Sequence, residues 1–139
     1  MTNHKANVMR WDCEKQGCFN VKMRVKLNLL FDCFPGAIGL SDLDGFVEYQ
    51  NKFLILEWKS FLGDIPTGQR IAFERFSSVG DGTITVIGIV GNAEDMSVTH
   101  LCRFSRGHQT PWKAATFQDL HKMCVQWVHW ARNATRTNQ

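Results

Sequence analysis

No stretch of this sequence approaches the roughly 18 consecutive apolar residues that a membrane-crossing helix needs, which argues against a helical span. An N-terminal apolar segment of the signal type, internal repeats and low-complexity tracts are also missing. The five cysteines, Cys13, Cys18, Cys33, Cys102 and Cys124, are odd in number and form no paired framework. A disulfide scaffold is therefore excluded and a reducing cytoplasm is expected. Charge of one sign is scarce: a net +3 permits nucleic acid as a partner without demanding it. The glycine clusters "GDG" and "GIVG" lack the spacing of a phosphate loop or a dinucleotide fingerprint.

What is present is an ordinary globular composition, 44% hydrophobic and 21% charged over 139 residues, enough for one domain with its own core. The expected organisation is a single domain over 1–139, with a core at about 21–106, a C-terminal helix at about 116–132, and flexible tails at 1–7 and 133–139. In "VKMRVKLNLLFDCF" the apolar residues first alternate and then take helical spacing at Leu27, Leu30, Phe31 and Phe34, so a helix is expected in the second half, stopped at Pro35. Strand-like runs at Leu43–Tyr49 and Lys52–Ser60 flank a polar "QN" turn and predict a hairpin.

Farther along, Thr67 is the expected cap of a helix with Gln69, Phe73 and Phe76 on one face. The β-branched run "TITVIGIVG" reads as an interior strand. "MSVTHLCRF" reads as another, with Val98, His100, Cys102 and Phe104 on one side. Thr116 should cap a last helix whose Phe117, Leu120, Cys124, Trp127, Val128 and Ala131 form an apolar stripe. The class is α/β (α+β), a central mixed sheet flanked by helices, with the "TITVIGIVG" strand brought parallel to the Leu54 strand by a helical crossover.

The triplet "EWK", Glu57–Lys59, interrupts a strand that otherwise reads as core. With Gln50 and Asn51 as the two turn residues, Tyr49 pairs with Lys52, Asp44 falls opposite Glu57, and Asp42 opposite Lys59. Opposed side chains point to one side with Cβ atoms about 4.5–5.5 Å apart, and like charges so placed destabilise a sheet. A hard divalent cation would compensate, since Mg²⁺ takes one or two carboxylates in an octahedral oxygen shell. A solvated face laced with ion pairs is the plainer alternative. Phe53 and Ile55 precede Glu57 on the same face, however, so that face starts as core and turns polar only at the strand's end.

An acid entering one strand of a hairpin, E-x-K on the next and a helix with a glutamine near its start resemble the PD-(D/E)XK nuclease superfamily. "CFPGAIGLSDLDGFVEYQNKFLILEWKS" followed by "IPTGQRIAFERF" is similar to its small phage-type members. The resemblance covers about residues 27–90. It implies a restriction-endonuclease-like αβββαβ core and Mg²⁺- or Mn²⁺-dependent hydrolysis of DNA, in the host cytoplasm if the chain is phage-encoded. Asp44, Glu57 and the Trp58 carbonyl would then hold the ion, Lys59 would handle the attacking water, and Gln69 would position water or phosphate. Asp42 is the rival of Asp44, and Asp32 or, failing it, Glu14 is the acid sought on the first helix. The proline of the family name is absent, Leu43 standing before Asp44.

Lys22, Arg24, Lys26 and Arg70 are candidate phosphate contacts, with Arg70 also able to pair with Glu74 along its helix. Cys13 and Cys18 have the spacing of half a zinc site whose other half is missing. Tryptophans of the last helix could serve a homodimer. A nuclease-like fold that only binds DNA or a host protein is the reading from another class.

Overall fold

A computed structural model describes residues 26–63 and 65–137, with side chains through Ala134. The chain divides into two compact units, 1–41 and 42–139. In the first, the expected helix is present at Leu27–Cys33 as a 3₁₀ helix, where the resemblance implied an α-helix. Pro35 forces Phe34 into extended geometry (φ −120°, ψ 93°), which leaves room for only two tight turns of helix.

The second unit is a mixed six-stranded sheet flanked by helices: β1 (Gly45–Tyr49), β2 (Lys52–Lys59), α1 (Thr67–Ser78), β3 (Ile84–Asn92), β4 (Ser97–Ser105), β5 (His108–Gln109), β6 (Lys113–Ala114) and α2 (Phe117–Thr137). The strand order is β1-β2-β3-β4-β5, with β6 also on β4. β2 and β3 are parallel, Leu54 opposite Thr85, and the other pairs are antiparallel. Gln50 and Asn51 both have positive φ (55° and 62°), the signature of the two-residue turn whose twist matches a hairpin. Tyr49 pairs with Lys52, as the two-residue turn requires. After α1, Gly80, Asp81 and Gly82 run consecutively at positive φ and turn the chain into β3.

α1 and α2 cover opposite faces. On one, Leu54, Ile87, Ile89 and Leu101 pack under Leu120, Trp127 and Ala131 of α2. On the other, Ile55, Val86, Cys102 and Phe104 pack under Phe73 of α1. Phe73 and Phe104 meet edge to face with centroids 5.4 Å apart, a geometry worth about 0.5–1.5 kcal/mol beyond area burial. β3 is buried from Thr85 to Gly91 because both of its faces are covered.

Several expectations shift in detail. Pro66, with Thr67 already helical, holds the cap position of α1: its carbonyl accepts the Arg70 N–H at 2.9 Å, and no side chain caps the helix. The buried face of α1 runs Gln69, Phe73, Ser77, at four-residue spacing, and Phe76 is left exposed. Thr116 does cap α2: its hydroxyl accepts the Asp119 N–H at 3.3 Å while Asp119 Oδ2 accepts the Thr116 N–H at 2.8 Å. These bonds hold the Asp119 carboxyl below its ordinary range. α2 continues to Thr137, past the end of its apolar stripe. His108 and Gln109 form a short hairpin strand after Arg106 and Gly107, both at positive φ.

A β-bulge explains the largest departure. The β3–β4 register passes from Val90↔His100 to Gly91↔Val98, so Thr99 is an extra residue on β4. Val98 therefore packs with the α2-side core, whereas Cys102 and Phe104 lie on the α1 side. Gly91 makes this close approach workable, because a Cβ there would collide with the Ser97 carbonyl oxygen and lie 3.0 Å from Val98 Cα. Gly91→Ala is expected to cost about 1–3 kcal/mol, the usual range for overpacking. A chemical-denaturation midpoint equal to wild type would contradict this account of the bulge.

Candidate active site

Alternation along β2 sends Phe53, Ile55, Glu57 and Lys59 toward α1, while Leu56 and Trp58 join the α2-side core. The Trp58 indole N–H donates to the Gly91 carbonyl at 3.0 Å and anchors the strand end between its charged neighbours. The "EWK" triplet thus combines one structural anchor with two groups on the functional face.

β1 pairs with β2 up to Gly45↔Leu56, which leaves Asp44 next in register with Glu57. Asp44 replaces the missing ladder partner: its Oδ2 accepts the Trp58 backbone N–H at 2.6 Å. The Phe53 N–H points to β3, where it meets the Thr83 carbonyl at 2.8 Å, so by alternation both the amide and the carbonyl of Trp58 face the β1 edge. The carbonyl is thereby directed to the side where Asp44 lies.

Glu57 is only 8% exposed. Its Oε1 accepts the Gln69 side-chain N–H at 2.8 Å and lies 3.6 Å from Lys59 Nζ. Burial raises its pKa above the ordinary 4.5, and the Asp44 charge pushes the same way, with a smaller push from Asp42. Lys59 and Gln69 oppose the shift without cancelling it. Among the described residues, two buried acceptors have no donor: Glu57 Oε2 and Gln69 Oε1. Buried acceptors are normally paired, and a cation is one group able to satisfy a carboxylate oxygen such as Glu57 Oε2.

Asp44, Glu57, Lys59 and Gln69 are therefore brought together, with Asp42 exposed and farther out. Lys59 makes its ion pair with Glu57 on its own strand, and no Asp42–Lys59 pair forms, because β1 ends at Gly45 and does not carry Asp42 alongside. Arg70 is exposed on α1 and makes no ion pair with Glu74. Asp32 and Lys26 belong to the first unit, where both are exposed. Glu14, Lys22, Arg24, Cys13 and Cys18 lie outside the described residues. Among the described residues no three His, Cys, Asp or Glu side chains converge on a point, so an ion here would rest on two carboxylates and neutral oxygens.

Gly88 of β3, not among the residues singled out from the sequence, stands opposite Glu57 of β2 and Cys102 of β4. A Cβ at Gly88 would meet Cys102 Sγ at 2.7 Å and the Trp112 ring at 3.1 Å. A glycine inside a β-branched run is the signal for such close approach. Burial pushes the Cys102 thiol up, which keeps it protonated and makes it a poor nucleophile. His100, half-buried, bonds the Thr99 hydroxyl through Nδ1 at 3.0 Å.

No family model, curated protein or solved structure matches this chain. Among the described residues, no helix is long and apolar enough to cross a membrane.

Proposed function

We propose that the chain is a metal-dependent nuclease that hydrolyses phosphodiester bonds in DNA, with a restriction-endonuclease-like core of the PD-(D/E)XK type. The observation that carries this reading is the buried Glu57 Oε2, an acceptor with no donor among the described residues, on the residue in register with Asp44 at the end of a core strand. Hairpin, parallel crossover and E-x-K position also agree with the superfamily's plan, although only two strands precede α1 among the described residues.

Asp44, Glu57 and the Trp58 carbonyl would hold Mg²⁺ or Mn²⁺. When bound, such an ion polarises a phosphoryl oxygen and offsets the charge that builds on it. The chain's own residues do the rest. The Trp58 amide fixes the Asp44 carboxylate, and Gln69 fixes one oxygen of Glu57 so that the other stays available. Lys59 adds a half-buried positive charge beside them that orients the attacking water. Arg70, exposed one residue beyond Gln69, is available to a DNA phosphate. A cytoplasmic location, and a homodimer able to reach both strands, complete the reading.

Digestion of circular, linear and single-stranded DNA with Mn²⁺, Mg²⁺ or EDTA, beside calorimetric titration of Mn²⁺, tests it. Cutting is expected with either ion and none in EDTA. Mn²⁺ binding without cutting would favour a nuclease-like module that only binds DNA or a host protein. Neither binding nor cutting would reduce the site to an ion-pair cluster.

A further inference from the structure

A cavity of about 310 Å³ lies on the opposite side of the sheet from Glu57, between the strands and α2. Ile87 and Met123 give it an apolar lining, and Trp127 and Trp130 give it aromatic surface. Arg103, Arg106 and Gln126 supply its polar surface, and no lining residue is acidic. A cavity of this size, with apolar and polar lining in similar measure, is large enough to admit a small molecule.

Its two arginines are not held by any buried acid. Trp127 is 7% exposed, so what it presents to the cavity is an edge of its ring, and its buried indole N–H meets no acceptor among the described residues. The Arg103 guanidinium makes no ion pair with any described carboxylate. Arg106 pairs with Asp81, whose side chain is 92% exposed, so that pair is a weak competitor for a better anion. Two guanidinium groups and aromatic walls together select a planar body carrying an anionic group, since guanidinium binds phosphate through paired N–H groups and stacks on aromatic faces.

We propose that this cavity binds an aromatic phosphate of mononucleotide size. The site shares no residue with the carboxylate cluster and does not depend on the nuclease reading. The test is calorimetric titration of the full chain in EDTA, which keeps divalent ions out of the first site, with deoxyadenosine monophosphate, deoxyadenosine and inorganic phosphate in parallel. Saturable binding of the monophosphate is expected, about tenfold or more tighter than either fragment. Arg103→Gln, an exposed position, should weaken it by about tenfold, as expected for a lost charge-assisted bond. Trp127→Phe should also weaken it, with folding of both variants checked by circular dichroism. Absence of saturable binding by the monophosphate overturns the proposal. So does phosphate alone binding equally well, or undiminished affinity in folded Arg103→Gln.

Discussion

Glu57→Gln is expected to lower DNA cleavage by about 10²-fold or more, the scale of losing one preorganised charge-stabilising group, while making the ion-free protein more stable at neutral pH. Both effects have one origin. Burial and the Asp44 charge raise the Glu57 pKa above 4.5, so there is a pH window in which the folded chain retains a proton that the unfolded chain has released. Stability falls as pH rises through that window, because the folded state binds the extra proton. The contribution is fully present below the unfolded value and is lost as pH climbs through the raised, folded one.

Glutamine has nearly the same shape and no charge, so it should remove this pH dependence. Divalent ion should do likewise for the wild type: at about 100 times Kd it stabilises by about 2.7 kcal/mol. The ion-free wild type should therefore lose thermal stability more steeply than Glu57→Gln as pH rises from 4.5 toward neutral. Parallel melting curves for the two proteins, or a Glu57→Gln variant that still cuts DNA at the wild-type rate, would refute the account of this site.

Asp44→Asn should reduce cleavage by a similar factor, about 10²-fold, with little change in stability. Asparagine keeps an oxygen to accept the Trp58 amide, so the end of the hairpin stays tied to β2. What disappears is the negative charge and with it affinity for a hard cation. Removing that charge also relieves Glu57, whose pKa should move back toward the ordinary value. The decisive comparison is with Asp42→Asn, which should leave cleavage nearly intact because Asp42 is exposed and acts on Glu57 only at longer range. If Asp42→Asn is the inactive variant, the ligand has been assigned to the wrong acid. If Asp44→Asn unfolds the protein, the carboxylate is chiefly a strand cap.

How much of this was legible differs from element to element. The hairpin register could be counted from the sequence because a two-residue turn leaves one pairing for every residue beyond it, and Asp44 accordingly stands next in register with Glu57. The same parity argument failed on β4, where the extra residue Thr99 moves Val98 to the opposite face from Cys102. A bulge adds one residue without any change in composition, so alternation alone cannot locate it. The apolar spacing at Leu27, Leu30, Phe31 and Phe34 located a helix that stops before Pro35 but left its type open, because a segment this short fits an α-helix and a 3₁₀ helix alike.

Local chemistry determined the turn at Gln50 and Asn51, the capping of α2 by Thr116 and the burial of β3 on both sides, since each rests on neighbours in sequence. Tertiary structure alone decided that the Gln69 amide reaches Glu57, that two buried oxygens are left without donors among the described residues, and that a cavity lined by Arg103 and Arg106 opens beneath α2. Those facts depend on the depth at which a helix settles on a sheet. That depth is set by the side chains of several elements packing at once, and no single segment records it.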